Sequence, residues 1–204
     1  MSATTVGRNI NVLFFGPPGA GKGTQADLVA PQLQVAHVST GDLFRQNMRE
    51  GTPLGLQIKP IYDAGGYVPD STTIAMLDQH LQRLRRTQPE LRGVIFDGFP
   101  RTPEQVAALD TLLGARAEQV NGVVYLTVPL DVLLPRLLAR GRADDSADTI
   151  TTRFTKYESD TAPLLTEYER RGTPVYRIDG NRSVEQVTAA VVAALQPLFA
   201  GRGG

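Results

Sequence analysis

"INVLFFGPPGAGKGT", residues 10–24, decides the fold. An apolar run of strand length enters a glycine-rich turn that ends in a lysine, the order in which a β-strand feeds a phosphate-binding loop and opens a helix. The pattern G-x-x-x-x-G-K-[ST] is met from Gly16 to Lys22, but Gly23 stands where the hydroxyl belongs and Thr24 follows one place late. Gly16, Gly19, Gly21 and Gly23, with Ala20 among them, allow the backbone to turn tightly and aim successive N–H groups into one concavity. Lys22 adds a point charge for the β and γ phosphates of a bound triphosphate. In ATPases and GTPases of this loop type the Ser or Thr after the lysine holds magnesium. Gly23 cannot, so a metal here must be held by phosphate oxygens and water, steadied by a carboxylate from another strand end. Asp97 in "VIFDGFPR" (94–101) has that address, an acid at the tip of an apolar run.

Further apolar runs rich in Val, Ile, Phe and Tyr occur at "VAHVS" (35–39), "GVIFDGF" (93–99), "GVVYLTV" (122–128) and "TPVYRID" (173–179). Stretches of helical length separate them. Strands that read as continuous apolar runs, alternating with helices, predict a parallel sheet covered on both faces. The expected fold is an open, doubly wound α/β domain on a five-stranded parallel sheet. Its ligands belong beyond the carboxyl ends of the strands, after Phe15, Ser39, Phe96 and Val128. The long interval between the second and third runs, with helical patterns such as "GDLFRQNMRE" and "STTIAMLDQHLQRLRR", predicts a helical insertion. The polar segment "GRADDSAD" (141–148) interrupts two helical stretches and is expected to move. Pro135, inside "DVLLPRLLAR" (131–140), is expected near the first turn of its helix or at a kink.

A chain of 204 residues is one ordinary domain, or one core domain with insertions, able to bury about 70 % of the surface of its unfolded form. It has no cysteine, which removes disulfide frameworks, thiol catalysis and Cys-based zinc sites. With 21 basic and 21 acidic residues the formal net charge is zero, so bulk electrostatics point to neither nucleic acid nor an anionic membrane. The start "MSATTVGRNINVLFFG" has no long apolar segment, and a soluble cytoplasmic protein is expected. Only Lys22, Lys59 and Lys156 are lysines; the other basic residues are arginines, whose planar forks grip phosphate in two places. Composition alone does not separate that use from a general arginine bias.

"GPPGAGKGT" (16–24), "STGDLFR" (39–45), "FDGFPRTPEQ" (96–105) and "RLLARGRADD" (136–145) occur in the order and spacing of the adenylate kinases, which the chain resembles from Asn11 to Leu198. The resemblance implies a single P-loop kinase domain, residues 1–204, with an AMP-binding insertion at about 40–69 and a short lid at about 141–148. It implies the reaction ATP + AMP ⇌ 2 ADP with Mg2+ and without zinc, in a form that is usually a monomer. Residue by residue, it puts Gly19 to Thr24 on the ATP phosphates, with Arg136 and Arg140, and Arg182 at the ATP adenine. Thr40, Arg45, Gly66, Tyr67, Val68, Gly98, Arg101 and Gln105 fall at AMP, Gln105 on its adenine edge. Arg142 and Arg153 match arginines that bridge the two phosphate groups, and Asp97 steadies the metal through water. The residues expected to carry catalysis are Lys22, Arg101, Arg140, Arg142 and Arg153.

Such a reaction needs cations more than a base, because the accepting phosphate oxygen of AMP is already ionised. At an effective dielectric of about 20, two phosphate groups near −2 each and about 4 Å apart oppose one another by on the order of 16 kcal/mol. Taken alone, Ser39 or Thr40 is also a reasonable helix cap, and Arg136, Arg140 and Arg153 are also reasonable solvated helix charges. His37 and His80 read as structural or exposed. A UMP/CMP kinase on the same scaffold remains an alternative, although such enzymes usually carry a smaller residue at Thr40 and asparagine at Gln105. A noncatalytic P-loop nucleotide-binding module is the other.

Overall fold

The computed structural model describes residues 9–142 and 146–200. Five strands, β1 (Ile10–Phe15), β2 (Ala36–Ser39), β3 (Gly93–Asp97), β4 (Val120–Thr127) and β5 (Val175–Asp179), form one parallel sheet in the order β2-β3-β1-β4-β5. The third strand stops short of the sequence expectation: Gly98 has φ +78° and turns the chain out of the sheet. Asp97 is therefore left at the lip, in register with Phe14 of β1 and Ser39 of β2.

Every residue of β1 is buried, as a central strand covered on both faces requires. Its side chains alternate between two cores. Ile10, Val12 and Phe14 pack with Ala26 and Val29 of α1 (Lys22–Leu33). Val191 and Leu195 of α9 (Val184–Ala200) complete that layer. Leu13 and Phe15 face the opposite way, onto Leu77 and Leu81 of α4 (Asp70–Thr87) and Val106 and Leu109 of α5 (Pro103–Gly114). Each buried Val, Leu, Ile or Phe among them contributes about 1.5–3 kcal/mol. The sheet is thus the middle layer of three, and its strand ends cannot shift without disturbing both cores.

From β1 the chain crosses toward β2, whereas from β3 it crosses the other way to β4. The carboxyl ends of β1 and β3 consequently diverge into a crevice, the position where open parallel sheets bind ligands. The loop 16–21 fills one wall of it and the loop 98–102 the other.

Two helices, α2 (Thr40–Glu50) and α3 (Pro53–Asp63), precede α4 and close a third, smaller core of Phe44, Ile58, Val68 and Met76. Ser39 is the cap of α2, its Oγ accepting from the Asp42 amide at 3.2 Å. Thr40, the other possible cap, is left with its hydroxyl free for tertiary use. Beyond β4 come α6 (Leu130–Arg140), α7 (Ala147–Lys156), a π-helical turn (Tyr157–Thr161) and α8 (Leu164–Arg170). Pro135 falls in the second turn of α6, not the first. Its missing N–H leaves the Asp131 carbonyl without an i→i−4 partner, and both residues are exposed to solvent. In the segment 141–148, Ala143, Asp144 and Asp145 lie outside the described residues, as does the terminal "GRGG". Ser146 caps α7 by accepting from the Thr149 amide at 3.1 Å, and Asp148 lies in the first turn, where a negative charge is favoured. Among the described residues no helix is long and apolar enough to cross a membrane.

Candidate active site

The glycine-rich loop leaves β1 at Phe15 and enters α1 at Lys22. Gly19 has φ +83°, and a Cβ there would stand 2.9 Å from the Leu133 carbonyl oxygen, so any side chain would force the loop away from α6. Lys22 folds back over the loop, its Nζ donating to the carbonyls of Gly16 (2.7 Å) and Pro17 (3.1 Å). Burial lowers its pKa from 10.5 to about 8; Asp97 opposes that shift, while Arg101, Arg140 and Arg142 add to it. A cation held in place against its own desolvation is a site that favours an incoming anion.

Asp97 faces the loop from β3. Burial alone would raise its pKa, but the adjacent His37 ring and the charges of Lys22 and Arg101 hold the carboxyl below its ordinary value. His37, which sequence reasoning set aside, lies between two acids. Its Nδ1 is 2.7 Å from Asp27 Oδ1, and its Nε2 is 3.7 Å from Asp97 Oδ2, a charge contact longer than a hydrogen bond. A Cβ on Gly23 would lie 3.5 Å from Asp97 Oδ2, an ordinary contact. The absence of a side chain at Gly23 therefore leaves open space beside this carboxylate. Among the described residues no three His, Cys, Asp or Glu side chains converge as a metal cage.

Between the divergent strand ends lies a cleft of about 680 Å³. It gathers arginines from five separate parts of the chain: Arg45 from α2, Arg101 after β3, Arg136, Arg140 and Arg142 from α6 and its end, Arg153 from α7, and Arg182 from the loop after β5. Arg101 is held by its Nε–H to the Gly98 carbonyl (2.7 Å), with its guanidinium 5.5 Å above the Tyr67 ring. Arg136 donates to the Gly180 carbonyl (3.0 Å), which ties α6 to the loop that also presents Arg182 to the cleft. Arg153 lies 5.5 Å from the centre of the Tyr62 ring, and the Tyr62 hydroxyl in turn accepts from Arg45 Nη1 at 2.5 Å. Burial lowers the pKa of Arg142, and the neighbouring charges of Arg45 and Arg140 lower it further. So many like charges in one cleft repel one another, and bound polyanions would relieve that repulsion.

A smaller cavity opens off the cleft toward the insertion, lined by Thr40, Tyr67, Val68, Gly98 and Gln105 among others. The Thr40 hydroxyl donates to the Gly98 carbonyl at 3.0 Å and so pins α2 to the loop after β3. Gln105, 3 % exposed, extends from the first turn of α5 and accepts from the Arg101 amide at 2.8 Å. Gly66 completes the passage between the two cavities. Every residue singled out in the sequence for ATP or AMP thus lines one of these two adjoining spaces, Gly19 to Thr24 and Arg182 included.

Other lining residues were not legible in advance. Asp42 is ion-paired with Arg45, and although burial would raise its pKa, that contact lowers it. The i,i+3 spacing of the pair on one helix was the available signal. Tyr62 and Thr73 also line the site, and no local pattern marks either.

The family model described as adenylate kinase matches residues 14–173. The chain is 44 % identical to an adenylate kinase of Corynebacterium diphtheriae over 186 residues, covering 91 % of this chain and 99 % of the relative. It is 43 % identical to an adenylate kinase of Mycobacteroides abscessus over 187 residues, with 91 % and 99 % covered. An adenylate kinase of Xylella fastidiosa is 42 % identical over 190 residues, again with 91 % and 99 % covered.

Proposed function

The chain belongs to the adenylate kinase family, and from that premise we propose how its own residues carry out phosphoryl transfer from ATP to AMP, giving two ADP. The observation that carries the reading is the convergence of Lys22 and the arginines of five chain segments on one cleft, beside a second cavity containing Gln105. In the proposed arrangement the amides from Gly19 to Thr24 cradle the ATP phosphates, and Lys22 turns its Nζ from the loop carbonyls to the β and γ oxygens. Arg136 and Arg140 hold the same phosphates from α6, and the Arg182 loop receives the adenine. Arg45 and Arg101 grip the AMP phosphate, whose approach displaces Asp42 from Arg45. Thr40, Gly66, Tyr67, Val68, Gly98 and Gln105 enclose the AMP base. Arg142 and Arg153 span the two phosphate groups.

Transfer then needs no proton removal. The transition state spreads charge over the equatorial oxygens of the moving phosphoryl group, and fixed cations stabilise it without reorganising. Closure of the proposed lid, residues 141–148, over the proposed insertion, residues 40–69, completes the cage and keeps water from accepting the phosphoryl group. Mg2+ fits this donor set as an ion held mostly by phosphate oxygens and water, with Asp97 as the carboxylate that orients its water shell beside the open space at Gly23. When bound, it neutralises phosphate charge. The neutral net charge agrees with small-molecule partners, ATP, AMP and ADP, for a monomeric cytoplasmic enzyme without nucleic acid or membrane partners.

Product analysis tests the acceptor. With Mg-ATP and each of AMP, CMP, UMP and GMP, ADP formation is expected to be fastest with AMP; preference for CMP or UMP would overturn the assignment of the second cavity. A second test uses pH. Lys22 loses its charge as pH rises through about 8, so kcat/KM for Mg-ATP is expected to fall above that pH. Bound phosphate favours the charged form, so the corresponding limb of kcat lies at higher pH. Initial rates across the alkaline range check this, and a kcat/KM unchanged to about pH 9.5 would contradict the lowered pKa of Lys22.

A further inference from the structure

The amide of Gln105 is held in one orientation by two partners. Its Oε1 accepts from the Arg101 backbone N–H at 2.8 Å, and its Nε2 donates to Asp70 Oδ1 at 2.6 Å. A backbone N–H can only donate and a carboxylate oxygen can only accept. Rotating the amide by half a turn would set NH2 against N–H and oxygen against carboxylate, losing both bonds in a buried place. Asp70 is the charged member of the pair, and it does not line either cavity; it acts from behind, at the first residue of α4.

We propose that Asp70 is a positioning residue for base selection, locking Gln105 in the orientation that accepts a 6-aminopurine and rejects a 6-oxopurine. The inference rests on the reading that Gln105 meets the base of AMP. One N–H and one lone pair of the amide remain after the two internal bonds. Adenine offers an N6–H donor and the N1 acceptor, so the oxygen of Gln105 meets N6 and its nitrogen meets N1. Hypoxanthine reverses both positions, with O6 accepting and N1–H donating. It needs the opposite orientation of the same amide. A locked amide therefore discriminates where a freely rotating one would not, because a site built to satisfy one hydrogen-bonding pattern leaves buried groups unpaired with the other.

AMP and IMP make the cleanest pair of probes, since they differ only on this edge. Kinetics of Asp70→Asn and Asp70→Ser, with Gln105→Ala alongside, test the idea, and melting curves confirm that each variant is folded. In the Asp70 variants the ratio of kcat/KM for AMP over IMP is expected to contract by at least about fivefold, chiefly through KM for the monophosphate, with KM for ATP within about twofold of the parent. A purely structural role at the start of α4 would lower the melting temperature and leave the ratio in place. If Gln105→Ala changes the ratio and neither Asp70 variant does, the locking role of Asp70 is overturned and the reading of Gln105 stands. If none of the three changes it, Gln105 does not read the base, and both fail.

Discussion

Replacement of Lys22 by methionine is expected to lower kcat by about 10²–10³-fold, the loss of roughly 3–4 kcal/mol of transition-state stabilisation that follows removal of a preorganised donor from an anion site. Methionine keeps the unbranched stem and removes only the charge and its protons. The fold should tolerate it, because α1 is anchored by Ala26, Val29 and Leu33, all in the core, and the Lys22 ammonium donates to two loop carbonyls. A coupled assay of ADP formation, with melting curves for both proteins, separates the two effects. A loss smaller than about tenfold would mean that the loop amides alone carry the β and γ charges.

Arg153→Ala is expected to have the second largest effect, a fall in kcat of about 10²-fold with smaller changes in KM for either nucleotide. Arg153 comes from α7, beyond the segment expected to move, and it faces the Tyr62–Arg45 contact of the insertion. In the proposed arrangement it bridges the two substrates when the cleft closes. An interaction made mainly in the closed, reacting complex lowers kcat and kcat/KM together. Arg153→Lys retains the charge without the planar fork and should recover only part of the activity. Turnover within threefold of the parent in Arg153→Ala would remove this residue from the cage, and the same criterion applies to Arg142→Ala.

Much of the architecture was legible because it depends on local sequence. The strand β1 and the loop after it are contiguous, and the residues that shape the loop are within a few positions of one another. The parallel sheet followed from apolar runs of strand length, since a strand covered on both faces has no polar side to show. Strand ends were less legible: β3 stops at Asp97 because of the backbone conformation of Gly98, and the apolar character of Phe99 concealed that. Pro135 was expected near the first turn of its helix or at a kink; it lies in the second turn, where an exposed carbonyl tolerates the missing donor.

The site residues divide along the same line. Arginines at 101, 136, 140, 142 and 153 were identifiable from motif position, yet charge alone did not distinguish them from surface arginines. Their common cleft distinguishes them, and that depends on helices separated widely in the chain. His37 had no apparent role until β2 was aligned with β3 and its ring was brought beside Asp97. Ser39 and Thr40 were equivalent as caps until the structure gave the cap to Ser39 and turned Thr40 toward Gly98.

By itself the sequence determined a glycine-rich loop on a buried parallel strand, a helical stretch between the second and third strands and the chemical type of each residue lining the cleft. These depend on hydrophobic periodicity, glycine placement and charge, which are properties of neighbouring residues. Only the tertiary structure decided which donors and acceptors meet. Asp70 and Gln105 are 35 positions apart, and Thr40 and Gly98 are 58 apart. A hydrogen bond depends on distance and angle within a few tenths of an ångström, and that precision arises only when packed layers bring distant segments together. The orientation of a single amide, and with it the choice between two purines, belongs to that level.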